Sequence, residues 1–174
     1  MAPYDVHQYL LDRANIHDTI LKVPIYYDTL NLSGLATEVY ASTIDVDYTS
    51  ILGGAPSTIS RDDWVAQVGG ILDAVASSQH VTSGIITDLP QPSPTASRPE
   101  RVTVYAQVAG NIVGKSQSGD GTSALMQNGG LLEAELQRDD ELERQGVNPW
   151  RITKYKVTKK WDSGGRTVFD AVKG

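Results

Sequence analysis

The second half of the chain is a series of strand-like segments with no helix between them. From His80 onward apolar and polar residues alternate, the two-residue period of a half-buried strand, over residues 80–89, 101–113, 131–138 and 150–160. Strands that follow one another through short loops pair antiparallel. Because helical patterns fill much of the first half, the order predicts an α+β fold. We expect a curved antiparallel sheet, wrapped on one side by N-terminal helices, with a pocket between the two layers.

The N-terminal segment predicts two helices, one over residues 4–11 and one that starts near Asp12. Pro24 is expected to kink or interrupt the second helix, because proline lacks an amide donor and clashes with the preceding turn. The continuation of that helix carries three side chains with polar groups: Tyr26, Tyr27 and Asp28.

A strand and a well-marked helix follow. Residues 42–50 alternate in strand spacing and bring Tyr48 to the end of the run. Ser60 is a predicted N-cap, and Trp64 opens the apolar stripe of the helix behind it. Further along, residues 115–122 predict a polar loop and the pair Gly129-Gly130 predicts a turn. The tail at 162–174 carries apolar residues that could fold back on an apolar surface.

Four side chains would supply proton-transfer chemistry if the fold brought them together: Tyr27, Asp28, Tyr48 and His80. A phenol donates or orients, a carboxylate holds an imidazole, and histidine titrates near neutral pH. His80 lies among small polar residues where the predicted helix gives way to a strand. A lone histidine is more often structural than catalytic, so the pattern alone leaves both interpretations open.

Four more residues are candidate substrate-binding groups: Tyr26, Trp64, Asn111 and Glu135. Asn111 belongs to the mixed face of the strand at 101–113, which either lines the pocket or faces solvent. Glu135 alternates with leucines, a pattern more typical of the solvated face of a sheet. Both alternatives stay open for these two positions.

Composition narrows the class of protein. A length of 174 residues predicts a single domain over 1–174. The chain has no cysteine and three scattered histidines, so we expect no metal site, and it lacks a phosphate-binding loop, so we expect no cofactor. The formal net charge of −6 argues against a nucleic-acid partner. No secretory signal or membrane span is recognisable, which predicts a cytoplasmic protein with a small-molecule partner.

Several short motifs, in their order and spacing, resemble one protein family. They are Tyr27-Asp28, the strand at 46–52 with Tyr48, Gln79-His80, and Trp150-Arg151-Ile152. The chain resembles the SnoaL-like branch of the NTF2-like superfamily, and within it the scytalone dehydratases. The resemblance implies a cone-shaped barrel, in which a strongly bent antiparallel sheet and N-terminal helices enclose an apolar pocket.

The resemblance also implies cofactor-free chemistry. Tyr27 and Tyr48 would hold a water molecule or a carbonyl oxygen, while His80, steadied by Asp28, would remove or return a proton. The family's second active-site histidine has no counterpart on the strand at 105–111. The serine and asparagine of the family's next strand align roughly with Glu133 and Glu135, so the substrate is expected to differ.

The function that follows is a cofactor-independent lyase or isomerase. Its expected substrate is a cyclic, largely apolar natural product, such as a polyketide or terpenoid intermediate of secondary metabolism. Two alternatives stay open, a cyclase that mainly shapes its substrate and a non-catalytic NTF2-like binding or assembly module. The resemblance further implies a homo-oligomer, a dimer or a trimer, formed through the outer face of the sheet.

Overall fold

The computed structural model describes residues 4–115 and 125–164. Its first part contains mainly helices: α1 (Val6–Asp28), α2 (Leu32–Gly34), a π-helical turn (Leu35–Val39), β1 (Tyr40–Asp47), α3 (Thr49–Leu52), β2 (Ser57–Ser60) and α4 (Arg61–Leu72). Its second part contains mainly strands: β3 (Val75–Thr87), β4 (Arg101–Gly114), β5 (Leu125–Arg138), α5 (Asp140–Arg144) and β6 (Trp150–Gly164). The predicted loop at 115–122 and the apolar tail lie, apart from their first residues, outside the described residues.

The strands form one six-stranded sheet in the order β2-β1-β6-β5-β4-β3. The α+β class predicted from the sequence is confirmed. Every neighbouring pair is antiparallel except β1 and β6, which run parallel. The sequence pattern predicted only antiparallel pairing, because it indicates how strands that follow one another in the chain pair. It contains no information on the pairing of β1 with β6, which lies about a hundred residues later.

Several element boundaries differ from the prediction. Strand β1 runs over Tyr40–Asp47 and ends before Tyr48, whereas it was predicted over residues 42–50, and Thr49–Leu52, expected in a strand, form α3. The N-terminal segment is one helix of 23 residues, with Asp5 as N-cap and Pro24 within it, rather than two helices. Strand β3 starts at Val75 instead of His80. Strand β5 starts at Leu125 instead of residue 131, because the glycine pair that looked like a turn lies inside the strand at an irregularity of the β5–β6 register.

Bulges bend the sheet around the helices. In β3 the register with β4 shifts between Ser83 and Ile86, and Gly84 adopts a φ of +59° there. A bulge adds a residue to one strand, bends it and increases its twist. The result is a strongly curved sheet with helices packed on its inner side, the cone-shaped architecture that the family resemblance implies.

The inner face of the sheet and the helices share one apolar core. Residues Ile16, Ile20 and Val23 of α1 are almost completely buried. Helix α4 begins at its predicted N-cap, since the hydroxyl oxygen of Ser60 accepts a hydrogen bond from the amide of Asp63 (3.2 Å). Among the described residues, no helix has the length and apolar character needed to cross a membrane.

A buried ion pair joins α1 to the proline-containing loop before β4. The fully buried carboxylate of Asp12 accepts hydrogen bonds from Arg98 Nε (2.9 Å) and Nη2 (2.6 Å), and from Trp150 Nε1 (3.1 Å). Arg98 also contacts Glu143 through Nη1 (2.5 Å). Because a buried carboxylate is stable only when it is paired, this network fixes the loop against the helix.

Candidate active site

A cavity of about 120 Å³ lies between the helices and the inner face of the sheet. Most of its lining is aliphatic: Val23, Pro24, Ile51, Leu52, Val68, Ile71, Leu72, Val75, Val81, Val108, Ala109, Ile112 and Val157. The remaining lining residues carry polar or aromatic groups: Tyr27, Tyr48, Trp64, His80, Thr82, Asn128 and Tyr155. No lysine, arginine, aspartate or glutamate lines it among the described residues, so the cavity favours an uncharged ligand.

His80 meets Asp28 at the wall of this cavity. The ring atom Nδ1 of His80 lies 2.6 Å from Asp28 Oδ1, and the main-chain amide of His80 donates to Asp28 Oδ2 (2.7 Å). The hydroxyl group of Ser78 also donates to Oδ1 (2.7 Å). Asp28 is the last residue of α1, and Ser78 and His80 are two residues apart on β3, so both point to the same side of the strand.

These contacts determine which ring nitrogen carries the proton. An ionised carboxylate only accepts hydrogen bonds, so Nδ1 of His80 must be the protonated nitrogen in this pair. In the neutral imidazole, Nε2 therefore keeps its lone pair and is available as a base. The side chains of His80 and Asp28 are 25% and 20% exposed, which places the pair at the boundary between the cavity and solvent.

Phenol groups occupy another part of the lining. The hydroxyl groups of Tyr27 and Tyr40 are 3.0 Å apart, and the ring of Tyr48 stacks on that of Tyr155 with centroids 5.8 Å apart. The ring of Tyr27 stands edge-on to His80 at 6.0 Å. Burial raises the pKa of Tyr27, Tyr48 and Tyr155 well above the ordinary value for tyrosine. These phenols are therefore neutral near pH 7 and serve as hydrogen-bond donors, not as bases.

A row across three strands brings an amide group next to the imidazole. His80 pairs with Gly110 in the β3–β4 register, and Gly110 pairs with Asn128 in the β4–β5 register. A Cβ atom on Gly110 would lie 3.4 Å from His80 Nε2 and 3.5 Å from Asn128 Oδ1. His80 Nε2 and Asn128 Oδ1 are therefore no more than about 7 Å apart. Gly110 lies between them in the sheet and has no side chain to fill the space.

The structure brings together five of the predicted site residues. Tyr27, Tyr48, Trp64 and His80 line the cavity, and Asp28 is hydrogen-bonded to His80 behind it. Tyr27 and Asp28 belong to α1, Tyr48 lies between β1 and α3, Trp64 belongs to α4 and His80 to β3.

The other three predicted residues do not line the cavity. Asn111 lies on the outer face of β4, where its Oδ1 accepts from Gln127 Nε2 (2.7 Å). Glu135 lies on the outer face of β5 and accepts from Lys154 Nζ (3.0 Å). The expectation that these two lie in the pocket was wrong, and the solvated alternative holds. Tyr26 is not among the residues that line the cavity, and burial together with the nearby carboxylate of Glu38 raises its pKa.

Sequence reasoning missed Asn128, Tyr155, Tyr40 and Ser78. Asn128 precedes the glycine pair that was interpreted as a turn, so its strand position was not recognised. Ser78 was seen only as one of several small polar residues near His80, although a serine two positions before it in a strand shares its face. In the described residues, no group of three or more histidine, aspartate or glutamate side chains is arranged to hold a metal ion.

The model of the SnoaL-like domain family matches residues 8–156, and the chain belongs to that family. Among solved structures, the Kfla4162 protein from Kribbella flavida is similar with a TM-score of 0.75, at 19% identity over 91% of this chain and 97% of that one. A candidate scytalone dehydratase from Novosphingobium aromaticivorans has a TM-score of 0.68, at 14% identity over 91% and 90%.

The hexachlorocyclohexane dehydrochlorinase LinA-type3 from Novosphingobium barchaimii has a TM-score of 0.64, at 16% identity over 91% of this chain and 92% of that one. No curated protein sequence matches the chain significantly. At these identities the similarity establishes the fold, the NTF2-like cone, and leaves the reaction to be argued from the site.

Proposed function

We propose that the protein is a cofactor-independent lyase or isomerase that removes a proton next to the carbonyl group of an uncharged cyclic compound. The observation that carries this proposal is the Asp28–His80 pair. The unprotonated Nε2 of His80 lies at the wall of an apolar cavity that is also lined by the phenol donors Tyr27 and Tyr48. Dehydration of a β-hydroxy ketone is the reaction we favour, because it needs one base and donors to one oxygen.

Each group has a defined part in this reaction. His80 Nε2 takes the proton from the carbon beside the carbonyl, and Asp28 stabilises the imidazolium that forms. Tyr27 and Tyr48 donate hydrogen bonds to the oxygen that gains negative charge, an effect worth about 10²–10³-fold per donor in other enzymes. The His80 imidazolium then returns that proton to the β-hydroxyl group, which Asn128 orients. The enolate electrons form the new C=C bond as the C–O bond breaks, and the group leaves as water. The products are an enone and one water molecule.

The cavity limits the substrate in size and charge. An apolar cavity of roughly 150 Å³ holds a benzene molecule in another protein, so about 120 Å³ takes a single ring. A larger polyketide or terpenoid would have to extend through the mouth of the cavity. Because no charged side chain of the described residues lines it, a carboxylate or phosphate on the enclosed ring would lose its hydration without gaining a partner.

The test uses 3-hydroxycyclohexanone, a one-ring, uncharged β-hydroxy ketone. The wild-type protein is expected to release 2-cyclohexenone, followed by its ultraviolet absorbance. His80→Asn keeps an amide donor towards Asp28 but removes the base, and we expect it to lose about 10²–10⁴-fold in kcat/KM. Equal rates for wild type, His80→Asn and buffer would refute the proposal.

Two alternatives make different predictions. A cyclase that only shapes its substrate would keep its activity when His80 and Asp28 are replaced together. A non-catalytic binding module would combine a filled interior with an exposed apolar face of the sheet. The cavity with His80 in its wall supports an enzyme, and we assign the exposed apolar face to the oligomer proposed below.

We also propose that the protein forms a homo-oligomer through the outer face of the sheet. Large apolar side chains are exposed there, among them Tyr105 (50%), Leu131 (46%) and Trp161 (52%). Light scattering after gel filtration is expected to give the mass of a dimer or trimer, and replacing Leu131 and Trp161 by lysine should reduce it. A monomeric wild type would contradict this proposal.

A further inference from the structure

The hydroxyl group of Tyr40 lies behind the cavity wall. Tyr40 is 1% exposed, belongs to β1 and does not line the cavity, yet its hydroxyl oxygen lies 3.0 Å from that of Tyr27, which does. Either hydroxyl could be the donor in this hydrogen bond on distance alone. The direction matters, because it decides whether the Tyr27 proton is available to a ligand.

The surroundings of Tyr40 settle that direction. If Tyr27 donated, the Tyr40 proton would need an acceptor of its own, and its hydroxyl makes no hydrogen bond to another acceptor in the described part of the chain. A buried hydroxyl proton without an acceptor costs roughly 1–3 kcal/mol. Tyr27, in contrast, faces the cavity, where the oxygen of a ligand can take its proton.

Trp64 supports the same direction. Its indole Nε1 is buried and forms no well-aligned hydrogen bond among the described residues. The indole N–H group lies close enough to the phenol of Tyr40 to lower its pKa. An indole nitrogen only donates, so it cannot take the Tyr40 proton.

We infer that Tyr40 is a positioning residue that donates its proton to the oxygen of Tyr27, so that Tyr27 directs its own proton at the oxygen of the bound ligand. The inference rests on the proposed function in one respect, that Tyr27 donates to a ligand oxygen. A hydroxyl group that accepts one hydrogen bond becomes a stronger donor in the next. Tyr40 therefore both orients Tyr27 and strengthens its hydrogen bond to the ligand.

The opposite direction predicts the opposite effect of one substitution. Tyr40→Phe removes only the hydroxyl group. If Tyr40 donates, the variant has a weaker and less well-oriented Tyr27. If Tyr27 donates to Tyr40, the same variant frees the Tyr27 proton and binding of a ketone improves. The sign of the change thus separates the two arrangements.

The experiment measures binding, so it does not depend on turnover. The probe is 2-cyclohexenone labelled with ¹³C at the carbonyl carbon, and the readouts are its chemical shift when bound and its Kd, both by NMR. Donated hydrogen bonds move the carbonyl resonance downfield. We expect a clear downfield shift in wild type, a smaller one in Tyr40→Phe, and a Kd about two- to fivefold weaker.

A double-mutant cycle separates positioning from a structural role. In the Tyr27→Phe background, Tyr40→Phe is expected to change neither the shift nor the Kd, because Tyr40 acts through Tyr27. Tyr105→Phe, which removes a half-exposed hydroxyl on the outer face, is the matched control and should behave as wild type. Melting temperatures show whether each variant is folded.

Three results would overturn the inference. They are a shift in Tyr40→Phe that equals or exceeds that of wild type, an effect of Tyr40→Phe that persists without the Tyr27 hydroxyl, and no downfield shift in wild type. If Tyr40→Phe does not fold, Trp64→Phe is the second variant. A carbonyl shift in Trp64→Phe equal to that of wild type would also count against the inference. If the shift pattern holds but 3-hydroxycyclohexanone is not dehydrated, the proposed function fails and this inference stands.

Discussion

Asp28→Asn changes the pair of Asp28 and His80 without changing its size. The carboxylate accepts three hydrogen bonds, from Ser78 Oγ (2.7 Å), the His80 amide (2.7 Å) and His80 Nδ1 (2.6 Å). An asparagine has one oxygen and one NH₂ group at the same place. Whichever way the amide is turned, its NH₂ group faces at least one donor or forces the proton of His80 from Nδ1 to Nε2.

Either orientation of the asparagine amide lowers the rate of proton removal by His80. A protonated Nε2 has no lone pair, so His80 cannot act as a base, and loss of the negative charge leaves the imidazolium unsupported. We expect kcat/KM for 3-hydroxycyclohexanone to fall by about 10²–10⁴-fold, the range of a general acid–base contribution. The lost charge-assisted hydrogen bonds should also lower the free energy of unfolding by about 1–3 kcal/mol.

The assay compares the rate of 2-cyclohexenone formation with that of wild type, at a temperature where both are folded. Asp47→Asn is the matched control, because Asp47 also accepts two hydrogen bonds, from the amide (3.2 Å) and hydroxyl (2.7 Å) of Thr49, but does not line the cavity. An Asp28→Asn variant within about threefold of wild type would refute the assigned role of the carboxylate.

Three further predictions concern separate parts of the molecule. Asn128→Leu should lower kcat/KM about tenfold by removing the amide beside His80 Nε2, whereas Asn111→Leu on the outer face should not; equal effects would contradict the placement of Asn128. Arg98→Met should cost about 3 kcal/mol of stability, because it leaves the buried Asp12 carboxylate without its cation; an unchanged melting temperature would contradict this. The buried phenols should make the free energy of unfolding depend on pH, because the pKa of Tyr40 is about 12 in the folded protein and about 10 in the unfolded chain. Their contribution to stability is complete below about pH 10 and is lost as the pH rises towards 12, since the unfolded chain loses these protons first. A melting temperature that stays constant up to about pH 12 would count against buried phenols.

Local sequence patterns were sufficient for the parts of the fold that follow local rules. The alternation of apolar and polar residues in β4 and the N-cap at Ser60 each depend only on residues that are close in the chain. Both are found where they were predicted. The glycine pair in β5 misled, because the same residues that favour a turn also allow a bulge, here with Trp161 packed over Gly129.

The site was predictable only in part, because its residues meet across the fold. Asp28 and His80 were linked by the family resemblance, not by any pattern in the chain, and they are 52 residues apart. Asn111 and Asn128 look alike in sequence. Only the register of β3, β4 and β5 shows that Asn128 shares the inner face with His80 while its neighbour Gln127 pairs with Asn111 outside.

The central claim is that His80 removes a proton next to a carbonyl group held in the cavity. Hydrogen–deuterium exchange at the α-carbons of cyclohexanone in D₂O, followed by NMR, tests it without requiring a leaving group. We expect the wild-type protein to accelerate this exchange and His80→Asn to abolish the acceleration. Exchange at the buffer rate in wild type, or equally fast exchange in His80→Asn, would contradict the claim.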